Sequence, residues 1–387
     1  MPDTLFIAFE DASPEERDAQ GEDTNRELVS RLVREFSRVN PSVNIHLRHF
    51  PPQELVKGIQ FRGTRGLGPD LVLSRVRPAL ALHRQQLSEP IALDNDRLQG
   101  IQPRFLEDFR RDDGRLLAVP LLVQPQLACF NRKRVGDPPG TLDDLLARSA
   151  QGMRVGMPLD IVGLYWTASG VEADRALWRL VMPTPGRPSD QEDLKRWLQW
   201  LANANLQRNI NFAAEQGELV SSLENGDLDW ISCQSGSLER LLAHLGPDLG
   251  VAPLPGHGDA PARALFRLMV WSFGTNSSPR QRQLAEDFVV FSLGASIQKT
   301  MLDEQIRYMP VVDQGQVLFP TRRSDVWAAM RTSLDHSREV PYGSASDLEP
   351  RGQAINSLLT RTILGAMSPD EMLRQLATDP RQPGPGP

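Results

Sequence analysis

A chain of 387 residues is longer than one ordinary hydrophobic core supports, so two lobes are expected. The balance of 40% hydrophobic to 24% charged residues is that of a soluble globular protein. The net charge is −6 with the basic residues spread along the chain, which excludes a dedicated nucleic-acid surface, and no apolar run nears the roughly 20 residues of a membrane helix.

Residues 5–9 are a short continuous apolar run, the mark of a strand buried on both faces. An acidic loop follows over 10–23. Leu28, Val29, Leu32, Val33 and Phe36 then recur at helical spacing, and Asn40-Pro41 stops that helix because the residue before a proline avoids the α region. Val43, Ile45 and Leu47 alternate as a strand, and residues 52–61 suit a second helix. After a flexible connection at Gly63, Gly66 and Gly68, residues 70–73 read as a third strand. This βαβαβ order predicts a parallel, right-handed, doubly wound lobe.

A helical stretch near 78–86 leads to LLAVPLLVQPQLACFN at 116–131, two apolar runs interrupted by Pro120 and Pro125. A proline donates nothing to a sheet ladder, so it suits a bend between strands. This segment reads as leaving one lobe and entering the next. In the second lobe, Thr141 starts a capped helix, 154–157 is a strand, and 158–166 is a loop. Residues 192–206 form an amphipathic helix, and 228–233 and 249–252 are strands. Ser278-Pro279 and Ser368-Pro369 each open a further helix with proline at its first position. The tail beyond Thr378 is expected to be disordered.

Chemical motifs are scarce. None of His46, His49, His83, His244, His257 and His336 shares a helix with another His or Cys at metal-ligand spacing. His46 and His49 have opposite strand parity. No nucleophile elbow, Walker-type loop or zinc-protease helix occurs. The GTRGLG run at 63–68 precedes a strand, which is the wrong context for a dinucleotide loop. Neither catalysis, a metal nor a cofactor is expected. Cys129 and Cys233 lie in apolar runs and are expected to be buried free thiols. The chain runs directly from Met1 into its first strand without a signal-peptide pattern, as in a cytosolic protein or a trimmed mature one.

Binding is better supported. Ligands of open parallel sheets sit beyond the carboxyl ends of the strands, here Glu10-Asp11 and Ser74-Arg75. Glu10 and Asp11 fit either a ligand contact or an exposed acidic loop, and Arg75 and Arg77 either an anion contact or solvated charges. Of seven tryptophans, Trp178, Trp197 and Trp200 read as core. Trp166 beside Tyr165, and Trp271, fit a sugar-stacking pocket and a core position equally.

In this order and spacing, four segments resemble the family of extracellular solute-binding proteins that includes the maltose-binding protein (family 1 of ABC-importer binding proteins). They are F-x-x-x-N-P at 36–41 with G-x-G-P-D-L-V at 66–72, L-A-V-P with P-P-x-T-x-x-D-L at 117–145, E-N-G-D at 224–227, and W-S-F-G-T-N-S-S-P at 271–279 with the L-A-x-x-F helix and M-P at 309–310. The resemblance implies two doubly wound α/β lobes joined by a multi-crossing hinge, the periplasmic-binding-protein type II fold. It places the first lobe at 1–123 plus 272–309, the second at 127–265 plus 314–378, the crossings at 124–126, 266–271 and 310–313, and the tail at 379–387.

It also implies a small sugar or sugar-derived compatible solute held as the lobes close, by the loop at Glu10 and Asp11, the loop holding Ser74 and Arg75, Gln124, Tyr165, Trp166, Gln234, Ser235 and Tyr342. Trp271 joins them from the residue-level reading. A membrane permease and an ATPase, an extracytoplasmic or periplasmic location and a monomer are implied too. Maltose binders carry an aromatic where this chain has Ser74-Arg75, which points to a smaller, charged solute. A sensor coupled to a kinase or regulator, and a polyamine binder, are the alternative readings.

Overall fold

The computed structural model describes residues 3–378 apart from 18–19, 94, 99, 183–186, 188, 314–318, 321 and 340–344. Unit 1 comprises Met1–Gln124, Leu238–Arg240 and Arg267–Ser324, and unit 2 comprises Pro125–Ser237, Leu241–Phe266 and Asp325–Pro387. The last passage, at Ser324, falls after the 310–313 segment expected from the sequence.

Unit 1 opens with β1 (Asp3–Glu10), α1 (Thr24–Val39), β2 (Val43–Phe50), α2 (Leu55–Gly63), β3 (Leu71–Arg75), α3 (Val76–Arg84), β4 (Ser88–Glu89) and β5 (Val119–Gln124). Unit 2 continues with β6 (Gln126–Asn131), α4 (Arg132–Val135), α5 (Leu142–Ala150), β7 (Val155–Pro158), α6 (Ile161–Gly170), α7 (Asp174–Val181), α8 (Asp190–Asn205), β8 (Ile210–Ala213), α9 (Gln216–Glu224) and β9 (Trp230–Gln234). Then come α10 (Leu238–Leu245) and β10 (Leu249–Ala252). Strand β11 (Leu265–Gly274) returns the chain to unit 1 for α11 (Pro279–Leu293), α12 (Ala295–Glu304) and β12 (Met309–Pro310). The chain finishes in unit 2 with α13 (Ser324–His336), β13 (Arg338–Glu339), α14 (Ala345–Ile363) and α15 (Pro369–Thr378).

The sheet of unit 1 runs β12-β5-β11-β3-β1-β2. Strands β1, β2 and β3 are parallel, with Ile7 opposite both Leu47 and Leu71, as the βαβαβ pattern predicts. Helix α1 starts where it does because the Asp23 carboxylate accepts from the N–H groups of Asn25 and Arg26. Its stripe of Leu28, Val29, Leu32 and Phe36 is buried, with the Phe36 ring against Phe288 and Phe291 of α11. The predicted Ser278-Pro279 start of α11 is a full capping box closed by Gln281.

The sheet of unit 2 runs β10-β6-β9-β7-β8. Residues 161–166, expected in a loop, are instead helical in α6. The Asp160 carboxylate caps it by accepting from the Gly163 N–H. Gly163 and Gly170 look like loop signals, yet both serve close packing. A Cβ on Gly163 would lie 2.3 Å from Pro158, and one on Gly170 2.4 Å from Leu142.

Cys129 and Cys233 form a disulfide, which corrects the expectation of free thiols. Cys129 faces Ile231 and Cys233 faces Leu127 in the antiparallel β6–β9 ladder, so the two are diagonal neighbours on one face with their Cα atoms 5.9 Å apart. They are 104 residues apart in sequence, and only strand register joins them.

Candidate ligand-binding residues

Parallel pairing brings Glu10, at the end of β1, beside Arg75, at the end of β3. The Glu10 carboxylate accepts from the Arg75 backbone N–H at 2.9 Å and lies 3.2 Å from its Nε. Arg75 Nη2 donates to Ser13 Oγ at 2.9 Å and reaches 4.0 Å from Glu16. Glu16 is buried, and one of its oxygens has no partner among the described residues. Burial opposes the charge of Glu16, but Arg75, Arg267 and Arg307 together hold its pKa below the ordinary value. For Glu10 burial wins over Arg75 and the pKa is raised. Burial likewise opposes the charge on Arg75, yet Glu16, Glu10 and Glu15 hold it firmly protonated. A second layer supports this network. Arg307, fully buried, donates to Thr24 Oγ1, while the Tyr308 hydroxyl donates to Asn25, whose amide in turn donates to the Glu10 carbonyl.

The remaining candidates of unit 1 are also engaged. Asp11 lies 3.1 Å from His49 Nδ1. Ser74 is fully buried and its hydroxyl donates to the Arg75 carbonyl. Gln124 is buried at the end of β5. Trp271, like Trp166, is fully buried. Its indole N–H donates to Ser292 Oγ and its ring meets Phe288 edge-on.

Unit 2 is built differently. In the β6–β9 ladder Gln126 faces Gln234, and strand alternation puts Trp230, Ser232 and Gln234 on the face opposite the disulfide. Helix α6 covers this face. Gln126 Nε2 donates to the Gly163 carbonyl at 2.8 Å, and the Trp166 and Trp230 ring centroids lie 5.9 Å apart. Along the row, Gln126 Oε1, Gln234 Oε1, Ser232 Oγ and the indole nitrogens of Trp166 and Trp230 are buried without a hydrogen-bond partner among the described residues. Each such group costs about 1–3 kcal/mol, so four on one sheet face and a fifth on the helix over it need a physical reason.

Of the expected residues, Gln234 lies opposite Gln126 in this row, Trp166 packs against its Trp230, and Ser235 follows on, its N–H donating to the Pro125 carbonyl. Tyr165 does not join them. It turns away, its hydroxyl donates to the Asp174 carbonyl and its ring packs on Trp178, because successive residues of a helix point about 100° apart. Tyr342 lies outside the described residues. Gln126, Ser232 and Trp230 were not singled out from the sequence, although the i, i+2 spacing of Trp230, Ser232 and Gln234 was a usable signal.

Among the described residues no group of three or more His, Cys, Asp and Glu side chains could hold a metal ion. No helix among them is long and apolar enough to cross a membrane.

The fold has well-matched solved relatives. The GacH receptor of Streptomyces glaucescens, solved unliganded and with acarbose, matches with a TM-score of 0.74 at 16% identity over 97% of this chain and 99% of that one. A cyclo/maltodextrin-binding protein complexed with maltotetraose gives 0.74 at 15% identity over 97% of this chain and 96% of that one. An ABC transporter solute-binding protein from Thermotoga lettingae bound with α-D-tagatose gives 0.69 at 14% over 97% and 98%. These likenesses establish the periplasmic-binding-protein type II fold. No curated protein sequence matches the chain. Residues 32–316 match the bacterial extracellular solute-binding protein family, and the chain belongs to that family.

Proposed function

We propose that this protein captures a small, uncharged carbohydrate or sugar-derived compatible solute and hands it to an ABC permease and its ATPase without chemical turnover. The observation that carries this reading is the match of residues 32–316 to the solute-binding family, and the row of neutral groups in unit 2 is consistent with it. Two amide oxygens, a hydroxyl and two indole N–H groups supply acceptors and donors beside apolar rings, the combination a polyol requires. The sugars bound by the solved relatives support the same ligand class.

The departure at Ser74-Arg75 had pointed to a charged solute. With Glu10 and Glu16 both on Arg75, that cation is already neutralised, which supports a neutral ligand instead. Gln124, Glu10 and Asp11 remain proposed ligand contacts from unit 1, with residues 124–126 and 266–271 as hinge crossings. An extracytoplasmic location is supported by the family, and the Cys129–Cys233 disulfide suits an oxidising compartment.

The test is a calorimetric and thermal-shift panel of neutral sugars, polyols and glycosylated solutes against amino acids, polyamines and sugar phosphates. A solute at a hundred times its Kd raises folding stability by about 2.7 kcal/mol. A response confined to charged solutes, or release of a product from any bound one, would sink this reading.

A further inference from the structure

The amino ends of the parallel strands of unit 1 carry a feature unrelated to Glu10 and Arg75, which lie at the carboxyl ends. Helix α2 carries the chain back along the sheet, so residues 61–67 arrive just before β3 begins at Leu71. There Phe61 is 63% and Leu67 57% exposed, and Phe6 at 38% lies across a groove of about 240 Å³ lined also by His46, Arg48 and Arg62. The Arg65 guanidinium lies over the Phe61 ring at 3.8 Å, and its Nη1 donates to the Phe61 carbonyl at 2.7 Å. Lys57 stands one helical turn before Phe61, on the same side of α2. Residues 46–67 thus hold Arg48, Lys57, Arg62 and Arg65 against the single acid Glu54, in a chain whose net charge is −6.

We propose that this basic, aromatic patch is a contact site for an anionic lipid surface. Charge complementarity selects the occupant, because the patch is locally positive on a protein of opposite overall sign. The side chains fit the two layers of a bilayer interface. Phe61 and Leu67 stand clear of the fold and can enter the acyl boundary, while guanidinium groups beside them meet headgroup phosphates. The Gly66 turn, with φ of +67°, presents Leu67 at its tip. A folded protein partner would need roughly 800 Å² per side, far more than this narrow groove and two protruding side chains offer. Residues 61–67 lie before the amino end of β3 and Arg75 at its carboxyl end, so lipid contact through Phe61 and Leu67 and solute capture are compatible.

The experiment is cosedimentation of the full chain with phosphatidylcholine vesicles and with vesicles containing about one third phosphatidylglycerol, where at least about tenfold more binding to the anionic vesicles is expected. Phe61→Ser with Leu67→Ser, and separately Arg62→Gln with Arg65→Gln, should each return binding towards the neutral-vesicle level. Only the arginine contribution should weaken as salt is raised. Unchanged melting curves confirm that both exposed-site variants fold, and each pair stands alone if the other fails. No preference for anionic vesicles, or wild-type binding by both folded variants, overturns the proposal. So does lipid-free self-association that the Phe61/Leu67 variant abolishes, which would assign the patch to a second copy of the chain.

Discussion

The buried polar groups around Arg75 in unit 1 and along the β6–β9 row in unit 2 have opposite chemistry. In unit 1 the buried groups are ions, and they are paired: Glu10 and Glu16 flank Arg75, and Arg307 sits behind them. In unit 2 they are neutral amides, hydroxyls and indoles, several without partners. The difference follows from energetics. Removing a charge from water costs several kcal/mol, so a buried ion without its counter-ion is hardly tolerated. A neutral orphan costs about 1–3 kcal/mol and is affordable within a fold closed by a disulfide. The cluster around Arg75 therefore settles its charges internally, whereas the β6–β9 row retains hydrogen-bonding capacity.

The largest expected effect strikes the ion network. Arg75→Leu leaves Glu10 and Glu16 buried without their nearest cation and should destabilise unit 1 by about 3–5 kcal/mol in urea unfolding. A cost below about 1 kcal/mol would mean that the pairing is a surface effect and would dissolve the contrast. Next, replacing Cys129 and Cys233 together by serine should cost about 2–5 kcal/mol, confined to unit 2. Trp271 is the only tryptophan of unit 1, so the fluorescence of a Trp271→Phe background follows unit 2 alone.

A smaller and more diagnostic effect is expected at Gln234→Leu. Removing an unpartnered oxygen should leave ligand-free stability unchanged or raise it by about 1 kcal/mol, while solute affinity falls at least about tenfold. Lost stability with unaltered affinity would make Gln234 structural.

The smallest effect is in acid. Arg179 holds Asp190 below its ordinary 3.8, and Asp229 is lowered as well, its burial outweighed by hydrogen bonds from Arg154 and Arg134. Their stabilisation, present above 3.8, is lost as pH falls through the lowered values. Glu16 behaves likewise below 4.5, but Glu10 and Glu15 are raised by burial, so their contribution is full below 4.5 and lost as pH climbs through their raised values. Between neutral pH and about 3, unit 2 should thus weaken more than unit 1, where the opposing carboxylates offset Glu16. Amide exchange in β1 and β3 compared with β6 and β9 would show it. Earlier opening of β1 in acid would reverse the assignment.

Local chemistry made much of the architecture readable. Apolar runs, the Asn40-Pro41 stop and the caps at Thr141, Ser278 and Ser368 mark real element ends, because each acts over a few residues. The candidate site was less legible. Gln234 and Trp166 were nominated and lie along the β6–β9 row, but Trp166, Tyr165 and Trp271 carried the same aromatic signal and all three are buried, each with different partners. Composition around an aromatic residue does not reveal which way its helix or strand turns it.

By itself, then, the sequence determined the alternation of strands and helices, the two-lobed expectation and the change of lobe at Pro125, since periodicity and proline geometry operate within a single stretch of chain. Tertiary structure alone decided the pairing of Cys129 with Cys233, the alignment of Gln126 with Gln234 and the neutralisation of Arg75 by Glu10 and Glu16. Those contacts join residues separated by about 60 to more than 100 positions, and the register of a ladder, which sets them, is fixed only when whole strands bury their faces together.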